Sequence, residues 1–134
     1  MGSSGSDRHR VLTAMGIVAV VGASEKPERY ANRALRMLLS KGFTPIPISR
    51  SGKEILGLKG YASLTAIPHP VDTVTIYVSP ERQTSVLQDL LAIRPRRVIF
   101  NPGAENPEAG AVLTQAGITV VEACTLVLLS TGQF

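Results

Sequence analysis

Gly22, Ala23 and Ser24 stand where an apolar, mostly β-branched run, Ile17 to Val21, meets the start of a helical pattern. That placement suits the binding of a phosphate. The glycine takes the tight turn, and the backbone N–H groups of Ala23, Ser24 and Glu25 are expected to point above the strand. The positive end of the next helix faces the same spot. Only one glycine of a G-x-G-x-x-G fingerprint is present, because Ser24 and Pro27 occupy the other two positions. A strand–turn–helix without a ligand stays open for this stretch taken alone.

The second group that could do chemistry is Ser49-Arg50-Ser51-Gly52-Lys53. It follows a second strand, where a chain that binds NAD usually offers an acid to the ribose hydroxyls. A guanidinium and an ammonium suit a phosphate on the ribose instead. Two ligands carry one there: NADP, with its 2′-phosphate, and coenzyme A (CoA), with its 3′-phosphate. A solvated basic turn is the bland alternative. Ser79-Pro80 and Asn101-Pro102-Gly103 also follow strands and fall on the same rim.

Other constellations fail. A Ser24–His69–Asp72 triad is excluded because His69 and Asp72 precede a strand and belong to the opposite rim. His69 between two prolines reads as a solvated loop residue, and Arg94, Arg96 and Arg97 as a solvated face. Cys124 sits beside Ala123 and Leu126-Val127-Leu128, which suits packing and not nucleophilic chemistry. Histidine and cysteine are too few for a metal centre.

These positions require a particular scaffold. A continuous apolar run bounded by glycine is a strand buried on both faces, hence part of a parallel sheet. Arg29 to Lys41 is an amphipathic helix with Ala31, Ala34, Leu35, Leu38 and Leu39 on one stripe, closed at Gly42. Thr44 to Ile48 is a second strand, and Pro45 and Pro47 argue for an edge. Ser63 to Ile67 reads as a short helix and Thr73 to Val78 as a third strand. Ser79 and Pro80 are expected to start a helix running to Ile93. Arg97 to Phe100, Pro107 to Ala116 and Ile118 to Val121 follow as strand, helix and strand, and the tail from Cys124 to Phe134 has no assignment. This alternation predicts a doubly wound, Rossmann-like α/β domain with a mainly parallel five-stranded sheet and helices on both faces. Strand order 2-1-3-4-5 places the ligand crevice between strands one and three.

The chain of 134 residues is long enough for one domain with a real core. Residues 1–10 read as a flexible arm or a cloning remnant, with His9 in it, and residues 11–134 as the domain. Fourteen basic against ten acidic residues give a net charge of +4, which favours an anionic ligand. Nucleic acid is disfavoured, since no Lys/Arg-rich run exists and aromatic residues are 4%. Val11 to Ala23 imitates a secretory signal but is needed as the central strand. No run reaches the roughly 18 apolar residues of a membrane span, and a lone cysteine fits a reducing cytoplasm.

The chain resembles the small single-domain CoA-binding proteins, whose fold is similar to the CoA-binding domain of the succinyl-CoA synthetase α subunit. The resemblance spans roughly Gly16 to Phe134. It rests on the motifs at Val20–Ser24, Gly42–Pro47, Gly57–Leu64, Pro70–Val74, Asn101–Asn106, Cys124–Val127 and Ser130–Phe134. It implies that CoA or an acyl-CoA is held by Gly22, Ala23 and Ser24, by Arg50 or Lys53, and by Val78, Ser79, Pro80, Asn101, Pro102 and Gly103; Lys26 and Ser49, in the same loops, are further candidates. Many relatives carry Asn-Pro where this chain has Ser49-Arg50. The synthetase's phosphohistidine domain has no counterpart here, so the expectation is a binding module without catalytic machinery. The alternatives are an NADP-binding reductase-like domain and a CoA-dependent enzyme using Cys124 or Ser79, which lacks a histidine on the correct rim. The expected partner is the small molecule alone, neither nucleic acid nor membrane, with a homodimer left open.

Overall fold

The computed structural model describes residues 16–134, so the arm and residues 11–15 lie outside the described part. The strands are β1 (Ile17–Val21), β2 (Thr44–Ile48), β3 (Thr73–Ile76), β4 (Arg97–Phe100) and β5 (Thr119–Glu122). They form one parallel sheet in the order β2-β1-β3-β4-β5, as expected. Four helices connect or follow them: α1 (Tyr30–Ser40), α2 (Thr84–Ile93), α3 (Pro107–Gln115) and α4 (Thr125–Ser130). Because every strand runs the same way, all carboxyl ends share one rim. The winding reverses between β1 and β3, and a crevice opens there.

Alternation along β1 divides the core. Val18 and Val20 pack with Ala31, Leu35 and Leu38 of α1 and with Leu129 of α4. Ile17, Ala19 and Val21 face the other way, onto the cluster that contains Leu90 of α2 and Leu113 of α3. All five β1 residues are buried, which an apolar run without alternation requires of a central strand.

β2 lies at the sheet edge, where its two prolines forfeit no ladder bonds. The loop that follows folds back along that edge. The Tyr61 amide donates to Pro47 O (3.1 Å), and the Ser49 amide donates to Tyr61 O (3.2 Å). A Cβ on Gly60 would overlap the Lys53 carbonyl, so the loop closes only with glycine there.

Several boundaries differ from expectation. β3 ends at Ile76, although the Tyr77 amide still bonds Val21 O (2.9 Å). Ser79 does not start the long helix. A single 3₁₀ turn, Pro80–Arg82, comes first, and α2 starts at Thr84. The buried Gln83 side chain explains the break, donating backwards to Val78 O (3.0 Å) and across to Ala104 O (2.8 Å). Leu39 falls off the buried stripe of α1. The unassigned tail forms α4, and Phe134 packs edge-on against Phe43 with ring centroids 5.0 Å apart. The arginines at the start of β4 are not simply solvated. Arg96 pairs with Asp72, and Arg97 lies over the Phe134 ring at 4.4 Å.

Candidate functional site

The crevice between the carboxyl ends of β1 and β3 is an open cavity of about 940 Å³, within the usual range for ligand sites. Its walls come from the loops after β1, β2 and β3, from the first turn of α1 and from Pro102 after β4. A second hollow of about 310 Å³ continues from it between the first two loops.

In the first loop, Gly22 has φ +87°. A Cβ there would lie 3.0 Å from Val78 Cγ1 and 3.3 Å from the Tyr77 carbonyl carbon, so the loop presses directly on the end of β3. The amides of Gly22 and Ala23 both donate to Ile48 O at 3.0 Å, tying the loop to β2. Ala23 therefore has no amide left for a ligand, contrary to expectation. The Lys26 amide is also taken, by Ser24 Oγ (3.1 Å). The amides of Ser24 and Glu25 donate to no protein acceptor among the described residues, and the Ser24 hydroxyl keeps its proton to donate. Three donors thus remain where the sequence suggested a cradle.

In the second loop, Arg50 lines both hollows, while Lys53 borders only the smaller one. Lys53 Nζ lies 2.7 Å from Glu25 Oε1, so its charge is already matched. Ser49 lines both hollows, its hydroxyl 3.4 Å from that of Ser51.

The ends of β3 and β4 divide into lining and support. Val78, Ser79 and Pro102 line the cavity; Pro80, Asn101 and Gly103 do not. Asn101 is buried. Its amide nitrogen donates to Thr75 Oγ1 (2.6 Å) and Ile76 O (3.0 Å), and its oxygen accepts from the Thr125 amide (2.9 Å). Both amide protons and the oxygen of that side chain are used in tying β3 and β4 to α4. The Gly103 amide donates to Glu105 Oε1 (2.8 Å). Asn106 caps α3 by accepting from the Ala109 amide (3.1 Å) and donates to Gln83 Oε1 (3.0 Å).

Two cations in the cavity wall escaped the sequence reading: Arg29 before α1 and Arg82 in the 3₁₀ turn. The usable signal was position, since each lies within a few residues of a chain segment leaving the carboxyl rim. Lys26, Arg29, Arg50 and Arg82 against Glu81 make the cavity wall electropositive.

Three ionisable groups around the two hollows are shifted from their ordinary values. The Glu81 carboxyl is held below its ordinary range by its own amide and the Ser79 hydroxyl. The Glu25 carboxyl is held low by the hydrogen bond and charge of Lys53. Burial pushes the Tyr77 phenol up to about 12, and its hydroxyl finds no hydrogen-bond partner among the described residues. It stays protonated. His69 is exposed on the far rim, and Asp72 is engaged by Arg96 at 2.8 Å, so no triad with Ser24 forms.

Residues 17–130 match the model of a CoA binding domain. The chain belongs to the CoA-binding domain family. A relative in Bacillus subtilis (strain 168), the uncharacterized protein YneT, is 30% identical over 104 residues, covering 78% of this chain and 77% of YneT. The crystal structure of an uncharacterized protein superposes with a TM-score of 0.83 at 42% identity, covering 90% of this chain and 99% of that one. A dinucleotide forming acetyl-coenzyme A synthetase of Ca. Korarchaeum cryptofilum contains the same fold, with TM-score 0.70 and 27% identity. The match covers 81% of this chain but 26% of the synthetase, so this CoA-binding domain corresponds to about a quarter of that enzyme. Among the described residues, no helix is long and apolar enough to cross a membrane.

Proposed function

We propose that this CoA-binding domain binds CoA or an acyl-CoA in the crevice between β1 and β3 and carries no catalytic machinery of its own. The Ser24 hydroxyl and the Ser24 and Glu25 amides hold the diphosphate, with Lys26 and Arg29 as counter-charges. Arg50 takes the ribose phosphate. Val78, Ser79 and Pro102 form the wall along which the rest of the ligand lies. Pro80, Asn101 and Gly103 act through the shape of that wall and not through contact.

The observation that carries this reading is the placing of Arg50 and the free Ser24 donors around one electropositive cavity. It has room for more than one phosphate. Among the described residues that line the cavity there is neither histidine nor cysteine, and the binding role is proposed without a catalytic step.

NADP is the competing ligand, since Arg50 would suit its 2′-phosphate as well. Calorimetry with CoA, NADP and NAD separates them. Tightest binding by CoA is expected, and CoA at about a hundred times its dissociation constant should add roughly 2.7 kcal/mol of stability. A stabilisation by NADP with none by CoA would transfer the crevice to a reductase-like role.

A further inference from the structure

The geometry points to Asn32 as the residue that turns the Glu25 amide into the smaller hollow that continues the crevice. This rests on the crevice being an anion site, as proposed above, and it adds a positioning residue on a helix that the binding loops do not contain. Asn32 lies in the third position of α1, is 1% exposed, and is the one polar side chain among the buried residues of that helix. Asparagine is a poor helix former, and its burial costs free energy unless its amide is fully bonded. Here both ends are used. Asn32 Nδ2 donates to Ser24 O (2.9 Å), and its Oδ1 accepts from Arg36 Nε (2.9 Å). Arg36 also donates from Nη2 to Pro27 O (2.8 Å).

The consequence follows from peptide geometry. In a planar trans peptide the C=O and the following N–H point in opposite directions. Drawing the Ser24 carbonyl towards α1 therefore turns the Glu25 N–H away from the helix, towards the hollow that Ser24, Glu25 and Arg50 border. Arg36 also holds the Pro27 carbonyl, three residues further along the same loop. The neighbouring amides are already occupied, Ala23 by Ile48 and Lys26 by Ser24 Oγ. The orientation of the Glu25 amide therefore decides whether the loop offers two backbone donors or one. Among the described residues, no donor other than Asn32 holds the Ser24 carbonyl inward.

The test follows backbone amides by ¹⁵N NMR during titration with inorganic pyrophosphate, ADP, dephospho-CoA and CoA. In the wild type the Glu25 amide should shift with pyrophosphate as well as with CoA. Asn32→Asp keeps an acceptor for Arg36 but removes the donor to Ser24. It should weaken pyrophosphate, ADP and dephospho-CoA each by about tenfold, the size of one charge-assisted hydrogen bond. The ratio of CoA to dephospho-CoA affinity should stay at its wild-type value, which general loosening of the domain would not preserve. Arg36→Ala, at a more exposed position, should show the same pattern more weakly, and it keeps the test open if Asn32→Asp fails to fold. A wild-type Glu25 amide that ignores pyrophosphate would overturn the inference even if CoA binds. So would a folded Asn32→Asp with unchanged pyrophosphate affinity. A Glu25 shift with pyrophosphate but no binding of CoA would leave the brace standing and remove the CoA reading.

Discussion

Lys53 Nζ sits 2.7 Å from Glu25 Oε1, joining the loop after β1 to the loop after β2 beside the smaller hollow. The pair is half-exposed on both sides, so its contribution to stability is small. Its effect on ligand charge is larger. Glu25 cancels Lys53, while Arg50 forms no ion pair among the described residues. Lys53→Ala should therefore weaken CoA by no more than about threefold. Glu25→Gln should tighten it by about two- to fivefold, the scale of one exposed charge pair, with the gain shrinking as salt rises. Calorimetry at two ionic strengths reads both. A loss of affinity in Glu25→Gln would mean that the pair is itself part of the binding surface.

Gly22 is fixed by conformation and by contact. Its φ of +87° disfavours a side chain, and an added Cβ would meet Val78 Cγ1 at 3.0 Å. Gly22→Ala should cost at least about 1–2 kcal/mol in urea unfolding, the usual penalty of a left-handed conformation. It should also weaken CoA, because the loop must lift from β3. The steric conflict is with β3 and not with the phosphate itself, so stability and affinity should fall together. Lost affinity at full stability would place the Cβ in the ligand's space instead.

Asn101 separates support from contact. Asn101→Ala would leave the Thr125 amide without its acceptor in a buried place and deprive Thr75 of a donor. That should cost about 2–3 kcal/mol, lowering the melting temperature by several degrees for a domain of this size. Any change in CoA affinity should be secondary. A variant as stable as the wild type that no longer binds CoA would make Asn101 a ligand contact.

The sheet order was legible because its causes are local. Ile17–Val21 has no polar face, so it had to be central, and Pro45 and Pro47 could be accommodated only at an edge. The rim that holds the site followed from that order. What escaped depends on contacts distant in sequence. Nothing in Ser79-Pro80 reveals that Gln83 reaches Ala104 and tightens the chain into a 3₁₀ turn. Nothing in Asn101-Pro102-Gly103 reveals that the asparagine turns inward to Thr125. The tail helix was hidden because Thr125–Ser130 is short, largely apolar and without a side-chain cap. Arg29 and Arg82 were passed over because a basic residue in a loop has no periodic pattern to mark it.

Asp72 gives the fold a pH dependence on the rim away from the site. Burial alone would raise its pKa. The hydrogen bonds from Arg96 and Thr73 and the nearby guanidinium charges outweigh burial, and the carboxyl lies below its ordinary value of 3.8. A depressed carboxylate stabilises the fold above its unfolded pKa, and that contribution is lost as pH falls through the folded value. Wild-type stability should therefore drop below about pH 4 by more than that of Asp72→Asn, whose side chain does not titrate. Urea unfolding at pH 6 and pH 3 checks this, and equal pH dependence in the two proteins would remove Asp72 from the account. CoA affinity at pH 7 should be the same in both.

The most direct measurement of the central claim is the ratio of CoA to dephospho-CoA affinity, in the wild type and in Arg50→Ala. The two ligands differ only in the ribose 3′-phosphate, so the ratio isolates the group that Arg50 is assigned to read. The wild type should prefer CoA by at least about tenfold, one charge-assisted contact. Arg50→Ala should bring the ratio close to one while keeping most of the affinity for dephospho-CoA. Equal affinities in the wild type, or a ratio untouched by Arg50→Ala, would contradict the assignment of this crevice to CoA through Arg50.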